Sequence, residues 1–290
     1  MNTSGFWLLD KEEGVTSRKL VDQVARKLKL HKVGHTGTLD PLATGLMILA
    51  SDDACKVQHI ITSHSKEYDA TIHLGAYSET DDREGIIHTI DNAPIPTLEE
   101  IQNTLFSFVG EQQQIPPAHS AIQINGCRAY LMARQGEKFE IAPRTIQIYS
   151  IQLQLYEYPI LKIHVHCGSG TYIRSLARDI GLRLNSNAYL HALRRTKIDH
   201  WDIKNAHTLE TITLENKLSL EQVLEPFAKI TMPHDMLFKI KNGQYISWSM
   251  LNREPMPQQT EPLFIWIDHR VIAIAKWNEH YIASKKLLIS

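Results

Sequence analysis

The sequence predicts an α+β protein, a mixed and largely antiparallel sheet flanked by helices over residues 1–228, followed by a small all-β unit over 229–290. Three observations carry that expectation. Residues 67–74, 145–156 and 160–167 alternate apolar and polar side chains with the two-residue period of half-buried strands. Segments beginning near 17, 98 and 173 repeat apolar residues at three- and four-residue spacing, the stripe of a helix packed on one face. After Ala228, short apolar runs are separated by turn residues. A chain of 290 residues with 43% apolar and 22% charged residues is long enough, and ordinary enough, to bury a large core beside a small companion domain.

The elements follow in order. Residues 6–10 read as a short apolar strand, and Lys11-Glu12-Glu13-Gly14 as a turn. A helix then starts near Thr16 or Ser17, with Leu20, Val21, Val24, Ala25 and Leu28 on its apolar face and Gly34 as its expected end. Arg18, Lys19, Arg26, Lys27, Lys29 and Lys32 accompany it with Asp22 as the lone counter-charge, either a phosphate-tracking face or a solvated one. In 67–74, Tyr68, Ala70, Ile72 and Leu74 face inward, which places Tyr68 at the edge of a buried face.

A polar loop over 78–85 leads to 86–90, expected to pair beside that strand. Thr97 with Glu100 forms a capping-box pattern before the stripe Leu98, Ile101, Leu105 and Phe108. Residues 112–144 lack periodicity, contain Pro116, Pro117, Gly126 and Gly136, and read as a long functional excursion. Strands at 145–156 and 160–167 run through Gly168-Ser169-Gly170 into a helix bearing Ile173, Leu176, Ala177 and Ile180. Near the C-terminus, 237–241 and 244–248 flank Asn242-Gly243 and predict a hairpin. A second hairpin is expected of 264–267 and 271–277 around Asp268-His269-Arg270, and a proline-rich loop spans 254–262.

A formal charge of −1 gives no overall field toward a polyanion, so any nucleic-acid site must be local. Cys55, Cys127 and Cys167 are far apart with no C-x-x-C pair, which fits a reducing compartment and neither a disulfide framework nor a zinc knuckle. No leader-like segment or apolar run of about 20 residues is present, so a soluble cytoplasmic protein without a membrane partner is expected. The pairs His164/His166 and His31/His35 have no acid or thiolate at metal-ligand spacing in the sequence, and no metal is expected.

Two segments carry chemistry. In Gly34-His35-Thr36-Gly37-Thr38-Leu39-Asp40-Pro41-Leu42-Ala43-Thr44-Gly45-Leu46, three glycines and three threonines surround one carboxylate. Proline biases Asp40 toward extended backbone, and the commonplace alternative is an aspartate capping a helix that begins at Pro41. In Cys167-Gly168-Ser169-Gly170-Thr171-Tyr172-Ile173-Arg174, Arg174 falls in the first turn of a helix, where the dipole disfavours a cation. An external anion such as Asp40 would hold it there.

These residues, together with Asp10-Lys11, Gly14-Val15-Thr16-Ser17, Lys66 with Tyr68, Pro116-Pro117 with Ser120-Ala121, and Leu193-Arg194-Arg195, resemble the TruB-type tRNA pseudouridine synthases in order and spacing over the first 200 or so residues. The resemblance implies a pseudouridine-synthase catalytic domain with a PUA-like C-terminal domain. It implies conversion of uridine to pseudouridine at nucleotide 55 in the TΨC stem-loop of tRNA, without a cofactor. By it, Asp40 is the catalytic aspartate, Tyr68 stacks on the target base, Arg174 pairs with Asp40, Leu193 walls the pocket, and His35 helps hold the base out. Lys11 and Lys66 match residues that line the site or meet RNA, 112–144 matches a mobile thumb, and a monomer with no obligate protein partner is expected. The chain departs from the family pattern at Glu12, His119 and Gln123, where proline, an aromatic residue and lysine are usual.

Breaking the N1–C1′ bond, turning the uracil and rejoining it through C5 needs neither redox chemistry nor a metal. Attack on C1′, addition to C6 and removal of the 2′ proton all require an ionised carboxylate, and the sequence does not choose among them.

Overall fold

The computed structural model describes residues 3–288 except 121, 125, 138 and 258–260. Strand β1 (Gly5–Lys11) leads into helix α1 (Ser17–Leu28), which Thr16 caps by accepting from Lys19 N–H at 3.1 Å. The helix ends before Gly34, because Lys29 adopts left-handed backbone (φ 54°) and its N–H closes onto the carbonyls of Ala25 and Arg26. Gly34 lies instead in β2 (Val33–His35), which pairs with β3 (Thr44–Ser51). β3 runs antiparallel to β1 from Gly5↔Ser51 to Lys11↔Gly45.

The outer face of α1 is partly spent within the molecule. Arg18 pairs with Asp22 at 2.8 Å, and Lys27 Nζ donates to the carbonyls of Leu209 at 2.8 Å and Glu210 at 2.5 Å. Its inner face packs Leu20, Val21, Val24 and Leu28 on Trp7, Leu9, Met47 and Leu49.

After α2 (Gln58–Thr62), strand β4 (Lys66–Leu74) shows the expected alternation, with Tyr68, Ala70, Ile72 and Leu74 all buried. The segment expected beside it does not pair there: β5 (Ala76–Ser78) and β6 (Ile87–Thr89) form their own two-stranded ribbon. Helix α3 (Leu98–Ser107) has the reciprocal capping box, with Glu100 N–H donating to Thr97 Oγ1 at 3.2 Å and Thr97 N–H to Glu100 Oε2 at 2.7 Å. Ile101 and Leu105 are buried, whereas Leu98 at the first position is half exposed.

The segment read as an excursion begins inside the sheet. β7 (Gly110–Gln114) is its edge strand, and only afterwards do β8 (Gln123–Ile124), β9 (Cys127–Arg128) and α4 (Ala129–Arg134) project as a short ribbon and helix. Ala121 of the recognised motif lies outside the described residues. β10 (Arg144–Glu157), β11 (Ile160–Cys167), α5 (Ile173–Arg183), β12 (Ala188–Ile198) and β13 (Trp201–Asp202) complete the sheet. Its order is β1-β3-β12-β4-β11-β10-β7, with β2 beside β3 and β13 beside β12. Every pairing is antiparallel except β12 on β3.

That parallel contact explains one glycine. Gly45 has φ 106°, and a Cβ there would stand 2.3 Å from the Arg195 carbonyl oxygen, so a side chain would separate β3 from β12. α3 and α5 cover one face of the sheet, joining Leu39, Leu42, Tyr68 and Leu193 in a single core.

Helix α6 (Leu220–Leu224) precedes a five-stranded sheet of β14 (Lys229–Thr231), β15 (Ile246–Ser247), β16 (Phe264–Ile267), β17 (Arg270–Trp277) and β18 (Tyr281–Leu287), in the order β14-β16-β17-β18-β15. The β16–β17 hairpin forms as expected, with Asp268 and His269 both at positive φ (48° and 63°). The Asn242-Gly243 hairpin does not. Residues 237–241 form α7 (Leu237–Lys241), and the glycine (φ 66°) closes that helix through Gly243 N–H to the Ile240 carbonyl. Of the loop over 254–262, residues 258–260 lie outside the described part.

Phe264, Trp266 and Ile274 of this sheet share a core with Phe6, Leu8 and Ile48 behind β1 and β3. Among the described residues no helix is long and apolar enough to cross a membrane.

Candidate active site

Residues 36–43 form a loop that crosses between β2 and β3, and no helix follows Asp40. Ala43 N–H turns back onto the Asp40 carbonyl at 3.1 Å and the chain enters β3 directly, so the helix-capping alternative is excluded. The loop is tied down on every side. Ser17 Oγ, at the start of α1, both accepts from Leu39 N–H at 2.9 Å and donates to its carbonyl at 2.8 Å. Gly14 N–H reaches the Pro41 carbonyl at 2.8 Å. The guanidinium of Arg195, from β12, clamps both ends by donating to Gly37 O at 3.1 Å and Leu46 O at 2.7 Å.

These ties present the Asp40 carboxylate to Arg174, the second residue of α5. Nη2 donates to Oδ1 at 3.2 Å and Nε lies 2.9 Å from Oδ2. The Asp40 side chain is 32% exposed and Arg174 6%, so the carboxylate is open to solvent on one side while the guanidinium beneath it is buried. Arg174 also donates to the carbonyls of Thr80 at 3.2 Å and His119 at 3.1 Å, and its Nη1 lies 3.5 Å from Asp82 Oδ2. Asp82 is buried and held by Thr80 Oγ1 at 2.6 Å and Glu84 N–H at 2.9 Å.

The electrostatics follow. Burial pushes the Asp40 carboxyl above its ordinary value; Arg174 opposes the rise, Asp82 adds to it, and Lys11 counters it more weakly. Two carboxylates thus share one guanidinium, and Arg174 is the group that keeps Asp40 ionisable.

Of the residues singled out in the sequence, Asp40, Arg174 and Lys11 come together, and Tyr68 and Leu193 pack in the same core as Leu39 and Leu42 of the loop. Lys11 is fully buried, with its ammonium donating to the carbonyls of Glu12 (2.9 Å), Val15 (2.6 Å) and Pro41 (3.3 Å). It therefore fastens the turn after β1 beneath the loop, and burial lowers its pKa. Of the two expectations for it, lining the site or meeting RNA, its three bonds to backbone carbonyls and its charge beside Asp40 accord with the first. Tyr68 is 7% exposed; burial raises its phenol pKa and the neighbouring Arg195 guanidinium counters the rise.

His35 and Lys66 gather around Arg195 rather than Asp40. His35 is half-buried, and burial followed by Arg195 depresses its pKa. Lys66 is 7% exposed and donates to the carbonyls of Thr62 and His64, both at 2.6 Å, so it too braces backbone. Burial and then Arg195 push Lys66 down to about 8. The sign of the linkage is that the folded chain holds this proton less firmly than the unfolded one. Stability contributed at this site therefore rises as pH climbs from about 8 toward 10.5. Urea unfolding of wild type and Lys66→Met at paired pH values inside and below that window is expected to show a slope that the variant loses.

Asp82 was not singled out in the sequence, and Arg195 stood there only within the Leu193-Arg194-Arg195 motif, without a role. Asp82 stands in a polar loop without periodicity, and Arg195 in a strand whose alternation is broken. The outer face of β4 holds another surprise: cross-strand register brings Asp69 and Glu67 to His164, at 2.7 Å from Nδ1 and 3.2 Å from Nε2, so acids do accompany that histidine in space. Among the described residues no group of three or more His, Cys, Asp or Glu has metal-holding geometry. A cavity of about 1340 Å3 lies away from Asp40, between Lys32, Asp53 and Lys56 on one side and His234, Asp268 and Arg270 on the other.

A carboxylate paired with an arginine in a glycine-bearing loop, on a nine-stranded sheet beside a small β domain, defines a class. The chain belongs to the TruB family of pseudouridylate synthases, whose N-terminal domain model matches residues 25–173, and it is thus an isomerase that modifies RNA. Among its relatives is the tRNA pseudouridine synthase B of Xanthomonas campestris pv. campestris (strain B100), 39% identical over 251 residues, which cover 83% of this chain and 81% of the relative. That of Francisella philomiragia subsp. philomiragia is 34% identical over 294 residues, 99% of this chain and 95% of the relative. A solved H/ACA RNP bound to a substrate RNA containing 2'-deoxyuridine holds a chain of the same fold, with a TM-score of 0.72 at 20% identity, covering 99% of this chain and 86% of that one. The sheet flanked by helices and the curled C-terminal sheet are those of a pseudouridine-synthase catalytic domain with a PUA-like domain.

Proposed function

We propose that this chain isomerises uridine to pseudouridine at nucleotide 55 in the TΨC arm of tRNA, with the Asp40 carboxylate as the reacting group. The observation that carries the reading is Asp40 itself, fixed by its loop, ion-paired to Arg174 and open on one side. The N1–C1′ bond breaks, the uracil turns, C5 bonds to C1′, and the C5 proton leaves while N1 gains one. The reaction is balanced without an oxidant or a metal.

A base stacked in the folded arm is out of reach of a side chain, so it must be flipped out at a cost of a few kcal/mol. Stacking on Tyr68 returns about 1–3 kcal/mol of this. Leu193 walls the pocket and His35 helps keep the base extruded. Lys11 and Lys66 serve through the backbone they brace. Residues 1–228 form the catalytic domain with 112–144 as its thumb, and 229–290 assist RNA binding. The protein works in the cytoplasm as a monomer.

Incubation with tRNA tritiated at uridine C5 tests the activity. Label is expected to be released to water. A binding module that had lost the chemistry would release none, and a glycosidic hydrolase would yield free uracil instead.

Tyr68→Phe keeps the ring and removes its oxygen, so tRNA affinity is expected to be unchanged, and a weakened Kd would contradict stacking. The single-turnover rate of the same variant reads the hydroxyl alone. A fall on the order of 100-fold would assign the hydroxyl to proton transfer at C5.

A further inference from the structure

The arginine opposite Asp40 is governed by a residue that makes no contact with the carboxylate. Gln114, the last residue of β7, is 2% exposed, and its carboxamide straddles the Tyr172 peptide. Nε2 donates to the Tyr172 carbonyl at 3.0 Å and Oε1 accepts from its N–H at 2.9 Å, a two-bond clamp like one rung of a sheet ladder. Tyr172 is the residue from which α5 springs, and no side-chain cap bond forms there. The next residue of the edge segment adds to the grip, because the Ile115 carbonyl accepts from Ser175 Oγ at 2.9 Å and from Arg178 Nη2 at 2.8 Å. Gln114 and Ile115 thereby hold both sides of Arg174 in sequence, and a few residues later the His119 carbonyl meets Arg174 itself at 3.1 Å.

We propose that Gln114 is a positioning residue for the uridine isomerisation: by fixing the Tyr172 peptide it sets where α5 begins, and so seats the Arg174 guanidinium squarely against Asp40. Its place at the root of the 112–144 segment makes it the link between that segment and the ion pair. The inference rests on the reading that Asp40 acts as an ionised carboxylate in pseudouridine formation.

A packing role and a positioning role differ in what they do to Asp40. The charged groups facing that carboxylate are Arg174 from α5, Asp82 and Glu84 from the loop between β5 and β6, and Lys11 from β1. Arg174 is the strongest of them in favour of ionisation. Displacing it moves the ionisation of Asp40 to higher pH, whereas lost packing alone does not.

The test is single-turnover pseudouridine formation on tRNA as a function of pH for wild type and Gln114→Met, which keeps the volume without either hydrogen bond. Misplacement of a reacting group by an ångström is worth about 100-fold, and a fall in kcat of that order is expected with tRNA Kd unchanged. The acid limb of the profile is expected at higher pH than in wild type. Should Gln114→Met fail to fold, Gln114→Asn keeps the amide, withdraws it by one methylene, and gives the same reading. An acid limb at the wild-type position overturns the proposal whatever the rate. Absence of pseudouridine from the wild-type reaction overturns the functional reading instead.

Discussion

Asp40→Asn is expected to fold, to bind tRNA as wild type does, and to make no pseudouridine above background, a loss on the order of 10⁴-fold or more. The amide has nearly the shape of the carboxylate, so Ser17, Gly14 and Arg195 still hold the loop and Arg174 still has Asp82. What goes is the negative oxygen, which attack on C1′, addition to C6 and proton abstraction all need.

The same substitution has a stability consequence. Burial raises the Asp40 pKa, so the folded state keeps this proton at pH values where the unfolded chain has already released it. The contribution of Asp40 to stability therefore falls as pH rises from 3.8 to the raised value, and the full penalty persists above it. Asn carries no such penalty. Urea unfolding at neutral pH should find Asp40→Asn at least as stable as wild type, which separates loss of chemistry from loss of fold; a clearly less stable variant would contradict the electrostatic picture.

The second large effect is that of Arg174→Met, which should damage both activity and stability. Removing the cation leaves Asp40 and the buried Asp82 facing one another with only the weaker influence of Lys11 to offset them, and stranding one partner of a buried pair costs about 3–5 kcal/mol. Part of that cost is relieved by protonation of one carboxyl, and that is the form that cannot react. Arg174→Lys is the sharper probe. It keeps the charge but not the planar fork that reaches Asp40, Thr80 O and His119 O together, so the variant should be more stable than Arg174→Met and still slow by about 100-fold. Its acid limb should lie at higher pH than that of wild type. A lysine variant with the wild-type rate would mean that charge alone suffices and that the geometry of the pair is incidental.

How far the sequence carries is visible at particular residues. Strand β4 was legible because Tyr68, Ala70, Ile72 and Leu74 keep strict alternation, and α3 because Thr97 and Glu100 announce a capping box. Arg174 was legible as a cation in the wrong turn of a helix, an anomaly that Asp40 resolves. β12 was not, although it lies between β3 and β4 in the sheet, because bulges at Leu190/Ala192 and Arg195/Lys197 break its period twice. With it Arg195 was lost as the clamp of the loop. Asp82 gave no local signal, since its role depends on α5 arriving from about ninety residues away. Asn242-Gly243 misled because the same pair that suits a tight hairpin also suits the left-handed close of a helix. For Lys11 and Lys66 the resemblance left open whether they line the site or meet RNA, and only the fold shows that both ammonium groups donate to backbone carbonyls.

The central claim is that the Asp40 carboxylate isomerises one uridine of the tRNA TΨC arm. Unmodified tRNA incubated with the protein, treated with a pseudouridine-selective carbodiimide and copied by reverse transcriptase tests it most directly. The account predicts a strong stop at nucleotide 55 with wild type and none with Asp40→Asn. A stop of equal strength with Asp40→Asn, or none at that nucleotide with wild type, would contradict it.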